Sequence, residues 1–130
     1  DLYINSNQVI KTIKSKNTEL FCGSHKIKVN IFEEKLSNGK TYNVSYRTDI
    51  SISNTDKYLV PVDHYFFLGD NRDCSKDSRF LNEVGYVNKL NLVGKAQILF
   101  FSSDSRIASF FNFFRWKDTI RLNRFLKKII

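Results

Sequence analysis

The chain contains no Met, one Pro, one Trp and two Cys. Two cysteines are too few for a multi-bridge disulfide scaffold. Cys22 and Cys74 would join only in an oxidising compartment and only if the fold brings them together. The expectation is two unpaired cysteines. Their spacing matches no metal motif, and His25 and His64 are too scattered to complete one, so neither a metal nor a cofactor is expected. Long hydrophobic runs are also missing. The longest, Ile98–Phe101 and Phe110–Phe114, fall far short of the roughly 20 residues that span a bilayer. No signal-peptide pattern opens the chain. It begins at Asp1 rather than Met, which suggests a processed or truncated chain whose membrane anchor, if it has one, lies outside these residues.

What is present points to a folded domain. The 130 residues suffice for one modest core. A hydrophobic content of 42% and an aromatic content of 15% exclude global disorder. The net charge of +8 is unevenly placed. Residues 1–60 carry +3, residues 61–100 are balanced, and residues 101–130 carry +5. A basic tail of this kind attracts anionic lipid headgroups or nucleic acid, or keeps the protein soluble.

The hydrophobic pattern reads mostly as strands. Leu2–Ile4 and Val9–Ile13 flank an Asn-Ser-Asn turn, a short hairpin signal. Ile27, Val29 and Ile31 alternate with polar residues up to Ser37-Asn38-Gly39, and Tyr42, Val44 and Tyr46 alternate beyond it. Alternation on both sides of Asn-Gly is a strong hairpin pattern. Residues 49–57 read as a loop. Tyr58–Val62 reads as a strand started or edged by Pro61, and His64–Leu68 as a short apolar run. Val84–Val87 and Leu92–Phe101 read as two further strands separated by Asn88–Asn91. In the tail, Leu122, Phe125, Leu126 and Ile129 fall at helical spacing, which fits a basic amphipathic helix or a final strand.

Residues 69–79, GDNRDCSKDSR, lack hydrophobic periodicity and carry six charges: Asp70, Arg72, Asp73, Lys76, Asp77 and Arg79. Alternating signs allow internal ion pairs, and an Arg guanidinium offers a planar fork that matches a carboxylate. The charge pattern alone equally fits a solvated turn whose pairs contribute little.

The order of residues adds more. GDNRD-x-S-x-DSR resembles the most distinctive segment of signal peptidase I, the bacterial leader peptidase family. Val60-Pro61 and His64-Tyr65-Phe66-Phe67-Leu68 resemble the family's approach to that segment. Gly85-Tyr86-Val87 and Leu92-Val93-Gly94-Lys95-Ala96 resemble its exit. Leu2-Tyr3-Ile4-Asn5 resembles a segment that shortly follows the family's lysine-bearing region. The resemblance is ordered over residues 60–102 and only general over 5–57. Cys74 departs from the Asn usual after GDNRD. A thiol donates and accepts hydrogen bonds weakly, so any polar contact made by that position is in doubt, and Cys74 is read as a small buried filler.

The resemblance implies a mainly β fold: an antiparallel, partly closed barrel core with a β-rich insertion. It places the insertion, a second and smaller domain, at 1–57 and the C-terminal part of the catalytic domain at 58–130. It implies a membrane-anchored serine endopeptidase with a Ser/Lys dyad, acting on exported preproteins with signal peptides that carry small residues at the cleavage site. The setting implied is the bacterial inner membrane, with the catalytic domain on the outer, periplasmic face. In such a dyad a neutral Lys takes the proton of the attacking Ser, so burial must lower the Lys pKa from about 10.4. Neither dyad residue is identified here: the S-M-x-P and R-x-x-G-x-P-G-D segments are absent. This chain alone is expected to be inactive.

By position in the motif, Ser75 matches the serine that hydrogen-bonds the general-base Lys. Asp77 and Arg79 match the pair that braces the loop. Gly69 and Asp70 are expected to shape the turn, with Gly69 supplying backbone freedom. Asn71, Arg72 and Asp73 are taken as loop-structural, and for Arg72 and Asp73 a functional role is equally open. Phe110–Phe114 are expected in a core. Trp116 with Arg121, Arg124, Lys127 and Lys128 suits a membrane surface. Two further readings are an inactive relative serving as an accessory or binding module, and a basic β-domain that binds nucleic acid. No RNP-like, Gly-rich or finger motif supports the latter, so no nucleic acid is expected as a partner.

Overall fold

A computed structural model describes residues 1–49, 54–100, 124 and 126–129. Local turn chemistry accounts for the first element. Asn5 and Ser6 both take positive φ, 50° and 66°, as the tight hairpin turn between twisted strands requires. They join β1 (Tyr3–Ile4) to β2 (Asn7–Gln8) in antiparallel register.

The main sheet has the order β3-β4-β5, with β3 at Ile10–Cys22, β4 at His25–Lys35 and β5 at Thr41–Arg47. The β4–β5 hairpin turns through Ser37-Asn38-Gly39, as its alternation predicts. β3 is longer than its sequence pattern suggests. It is an edge strand, mostly exposed, with register shifts between Ile13 and Ser15 and between Ser15 and Thr18. Bulges and solvent exposure erase the period-two signal there. Gly23, at φ 60°, turns the chain so that Cys22 faces His25.

Register separates two apolar rows that look alike in sequence. Ile31 lies opposite Ser45, and Phe32 lies opposite Val44. Residues directly opposite share a face. Ile27, Val29 and Ile31 therefore line one face of the sheet, and Phe32, Tyr42, Val44 and Tyr46 line the other. Both faces have something to bury.

The strand expectations beyond residue 57 are corrected. Tyr58–Val62 forms no strand. Instead the Tyr58 ring stacks on Phe66, centroids 4.8 Å apart, and its hydroxyl donates to Arg79 O at 3.2 Å. The run at His64–Leu68 pairs only as β6 (His64–Tyr65), and of the expected strand Val84–Val87 only Val87 is strand, in β7 at Val87–Asn88. Lys89–Asn91 is a turn of 3₁₀ helix. Of the expected strand Leu92–Phe101, the described residues 92–100 are strand only at Ile98–Leu99 (β8), which pairs with β9 at Lys127–Lys128. A strand persists only where a neighbouring backbone pairs with it, and in these segments the paired stretches are two residues long. The described part of the tail is thus strand at Lys127–Lys128. The Phe-rich run, Trp116 and Arg121 lie outside the described residues.

The chain divides into two compact units, Asp1–Asn91 and Leu92–Ile130. The second contains the β8–β9 pair, with Arg124, Lys127 and Lys128 exposed. The fold is mainly β, its sheets antiparallel, and none of the described sheets closes into a barrel. No described helix is long and apolar enough to cross a membrane.

Candidate functional site

The first unit buries Val9, Ile27, Val29 and Val44 among its apolar residues and Glu34, Ser45, Arg72, Asp77 and Ser78 among its polar ones. Three of those five polar residues belong to the GDNRDCSKDSR loop. Buried polar groups persist only when hydrogen-bonded, so the loop's shape is set by where its polar groups find partners.

The loop starts as a short continuation of the sheet. Asn71 bridges Ser45 in parallel. Ser45 N–H donates to Asp70 O at 2.8 Å, and Arg72 N–H donates to Ser45 O at 3.0 Å. Asp73 follows, and its carboxylate accepts the Arg47 N–H at 2.7 Å. The Asp70 carboxylate, exposed, accepts the Asn71 N–H at 2.9 Å. These contacts run residues 70–73 along the free edge of β5.

Arg72 turns its side chain into the sheet. Its guanidinium donates to both oxygens of Glu34, at 3.1 and 2.5 Å, and to the Tyr46 hydroxyl at 2.8 Å. Tyr46 in turn donates to Glu34 at 3.1 Å. Only 5% of the Arg72 side chain and 1% of the Glu34 side chain are exposed. Burial, opposed by Arg72 and aided by Glu34, pushes the Tyr46 hydroxyl up to about 12. Burial works against the Arg72 charge, but Tyr46 and Glu34 outweigh it and hold the guanidinium above its ordinary value.

The far side of the loop is tied by Asp77, Ser78 and Arg79. Arg79 grips the Asp77 carboxylate with two nitrogens, at 2.8 and 2.9 Å, and also donates to Arg72 O. Asp77 accepts the Gly69 N–H at 2.7 Å. Ser78, fully buried, pairs with Phe67 through its N–H at 3.0 Å and its hydroxyl at 2.9 Å. The ends of the loop are therefore clamped together.

Gly69 is needed for a different reason than backbone freedom. Its φ is not in the left-handed region. A Cβ built there would stand 2.0 Å from Ser75 Oγ and 2.2 Å from Ser75 Cβ. Ser75 occupies the space that any larger residue at 69 would fill. Its N–H donates to Asn71 O at 2.8 Å.

The expectation of two unpaired cysteines is overturned: Cys22 and Cys74 form a disulfide, with Cα atoms 5.7 Å apart. Nor is Cys74 a buried filler, being half-buried. The pairing is a product of topology. The strand order puts β3 and the loop at opposite edges of the sheet. Cys22 lies at the end of β3, past the last pairing of β5, which is Arg47 with Val29. The disulfide staples the loop to the far edge strand there.

Burial alone would push the Asp77 carboxyl up, but the hydrogen bonds from Arg79 and from the Gly69 N–H outweigh it and hold the group below its ordinary value. A depressed folded pKa contributes stability that is complete above the unfolded value, about 3.9, and is lost as pH falls through the folded value. Urea midpoints followed down from neutral pH should therefore fall in acid. In Asp77→Asn that component of the acid loss should be missing.

The structure thus brings Gly69, Asp70, Asn71, Arg72, Asp73, Ser75, Asp77 and Arg79 into one braced loop. It adds Cys22, Glu34, Ser45, Tyr46 and Ser78, which sequence reasoning missed. Only Ser78 carried a signal, inside the motif itself.

The chain carries this loop within a match to a peptidase family: the family model for signal peptidase, peptidase S26, matches residues 1–101. The chain belongs to that family. It is similar to signal peptidase I of Rickettsia typhi, 35% identical over 144 residues, which cover 98% of this chain and 52% of that protein. It is also similar to signal peptidase I of Rickettsia bellii, 39% identical over 114 residues, which cover 75% of this chain and 38% of that protein. The chain spans about half the length of the curated relatives it matches. No solved structure matches it.

Proposed function

We propose that these residues form the wall of the active site in a membrane-anchored serine endopeptidase that removes signal peptides from exported preproteins. Residues 1–57 are its β-rich insertion and residues 58–130 the C-terminal part of its catalytic domain. The Ser/Lys dyad is supplied by a part of the protein that these 130 residues do not include, so the chain alone does not cleave substrate.

The observation that carries this reading is the seat of Ser75. Its side chain is pressed against Gly69, whose N–H is held by Asp77, which Arg79 holds in turn. Its hydroxyl has no hydrogen-bond partner among the described residues. A fixed hydroxyl with spare donor capacity suits the support of a neutral Lys amine. It orients the lone pair and replaces part of the solvation lost on burial. The disulfide supports a site on the outer face of the membrane, where oxidising conditions maintain such bonds. The exposed Arg124, Lys127 and Lys128 support contact with anionic headgroups, with Trp116 and Arg121 as further contacts.

The test is Ser75→Ala in the protein as its gene encodes it, assayed on a peptide with small residues at the cleavage site. Turnover should fall by about ten- to a hundredfold, the scale on which outer hydrogen-bond partners act. KM should change little, because the interaction matters most in the transition state. Wild-type turnover in the variant would remove the role given to Ser75.

A further inference from the structure

We infer that Glu34 and Tyr46 are positioning residues for Ser75, acting through Arg72 from the β4–β5 hairpin. The inference rests on the reading of Ser75 given above and extends it to residues outside the GDNRDCSKDSR motif.

The contacts form one unbroken path. Glu34 and Tyr46 fix the Arg72 guanidinium from the sheet face. The Arg72 backbone N–H is fixed by Ser45 O, so the residue is held at both its side chain and its main chain. The carbonyl that follows accepts from Arg79. The same Arg79 nitrogen, Nη2, also donates to Asp77 Oδ2 at 2.9 Å. Asp77 Oδ2 accepts the Gly69 N–H at 2.7 Å, and Ser75 fills the space beside Gly69.

Two features make this path more than a list of neighbours. Asp77 Oδ2 and Arg79 Nη2 each serve two partners, so a shift of the Arg72 carbonyl cannot be absorbed at Arg79 without moving Asp77 and Gly69. The contact at Gly69 is also steric, because the Ser75 side chain fills the space where a Cβ at 69 would stand. Close-packed contacts transmit small displacements. The hairpin that carries Glu34 and Tyr46 thereby sets the position of a hydroxyl about 30 to 40 residues further along the chain.

Glu34→Ala leaves a buried, unpaired guanidinium and risks misfolding. Tyr46→Phe and Glu34→Gln are gentler. The first removes one hydroxyl and keeps the ion pair; the second keeps an acceptor for Arg72 at the same place. Both should be made in the gene-encoded protein, alone and with Ser75→Ala. The readouts are kcat and KM on the small-residue peptide across pH, at a temperature where circular dichroism shows each variant folded. Each single variant should lower kcat by roughly three- to tenfold, the range of one lost hydrogen bond, with KM almost unchanged. The acid limb of the pH profile should move upward. A misplaced Ser75 no longer favours the neutral amine, so the amine's pKa rises. Tyr46→Phe added to Ser75→Ala should cost no further turnover, because both act through the same hydroxyl.

Unchanged kcat in folded Tyr46→Phe and Glu34→Gln, or a loss that adds in full to that of Ser75→Ala, would overturn the inference while the role of Ser75 stands. Wild-type turnover in Ser75→Ala would overturn that role, and the inference with it.

Discussion

Arg72→Ala is expected to lower the stability of the protein by about 3–5 kcal/mol, the cost of stranding one partner of a buried ion pair. Glu34 is left with a charge in a place where 1% of its side chain meets solvent. It keeps the hydrogen bond from Tyr46, which is neutral and does not balance the charge. Arg72→Lys should recover only part of the loss. An ammonium is a point donor and cannot reach both Glu34 oxygens and the Tyr46 hydroxyl as the planar fork does. Lys76→Ala is the internal control. Lys76 pairs with Glu83 at 3.0 Å, but both side chains are largely exposed, and such pairs contribute roughly 0–1 kcal/mol. Urea denaturation of the three variants, under conditions where folding is reversible, should give that order. Equal small losses in Arg72→Ala and Lys76→Ala would mean that the Arg72–Glu34 pair is solvated.

The second large effect belongs to the disulfide. Cys22 and Cys74 close a loop with a sequence separation of 52. On the chain-entropy model a loop of that length is worth about 4 kcal/mol, by restricting the unfolded chain. A dithiol reductant should lower the denaturation midpoint accordingly, and the double variant Cys22→Ser, Cys74→Ser should show the lower midpoint with or without reductant. Cys74 directly precedes Ser75, so the bond also anchors the loop next to the hydroxyl on which turnover is proposed to depend. If reductant leaves the midpoint unchanged, the staple carries no stability.

These two effects also mark where sequence reading stopped. The β4–β5 hairpin was legible because its alternation is clean and its turn chemistry unambiguous. The loop was legible because eleven residues in fixed order resemble a family segment. Glu34 was not, since nothing distinguishes it from Glu33 beside it. Only the register, which places Glu34 opposite Tyr42 and Glu33 opposite Asn43, shows which one faces Arg72. The cysteines are far apart in sequence, and their meeting depends on strand order that no local pattern encodes. Gly69 was assigned the right importance for the wrong reason: it is small because Ser75 lies against it, and its φ is ordinary. The length of β3 beyond Ile13 was missed because an exposed, bulged edge strand is under no pressure to alternate.

The mixed character of the interior has a thermal consequence. The heat-capacity increase on unfolding comes from newly wetted apolar surface and is reduced by newly wetted polar surface. In this unit the buried described side chains are four apolar and five polar or charged. Its stability curve should accordingly be flat, with little to gain from cooling, and its resistance to heat should depend on charge pairs whose desolvation cost falls as temperature rises.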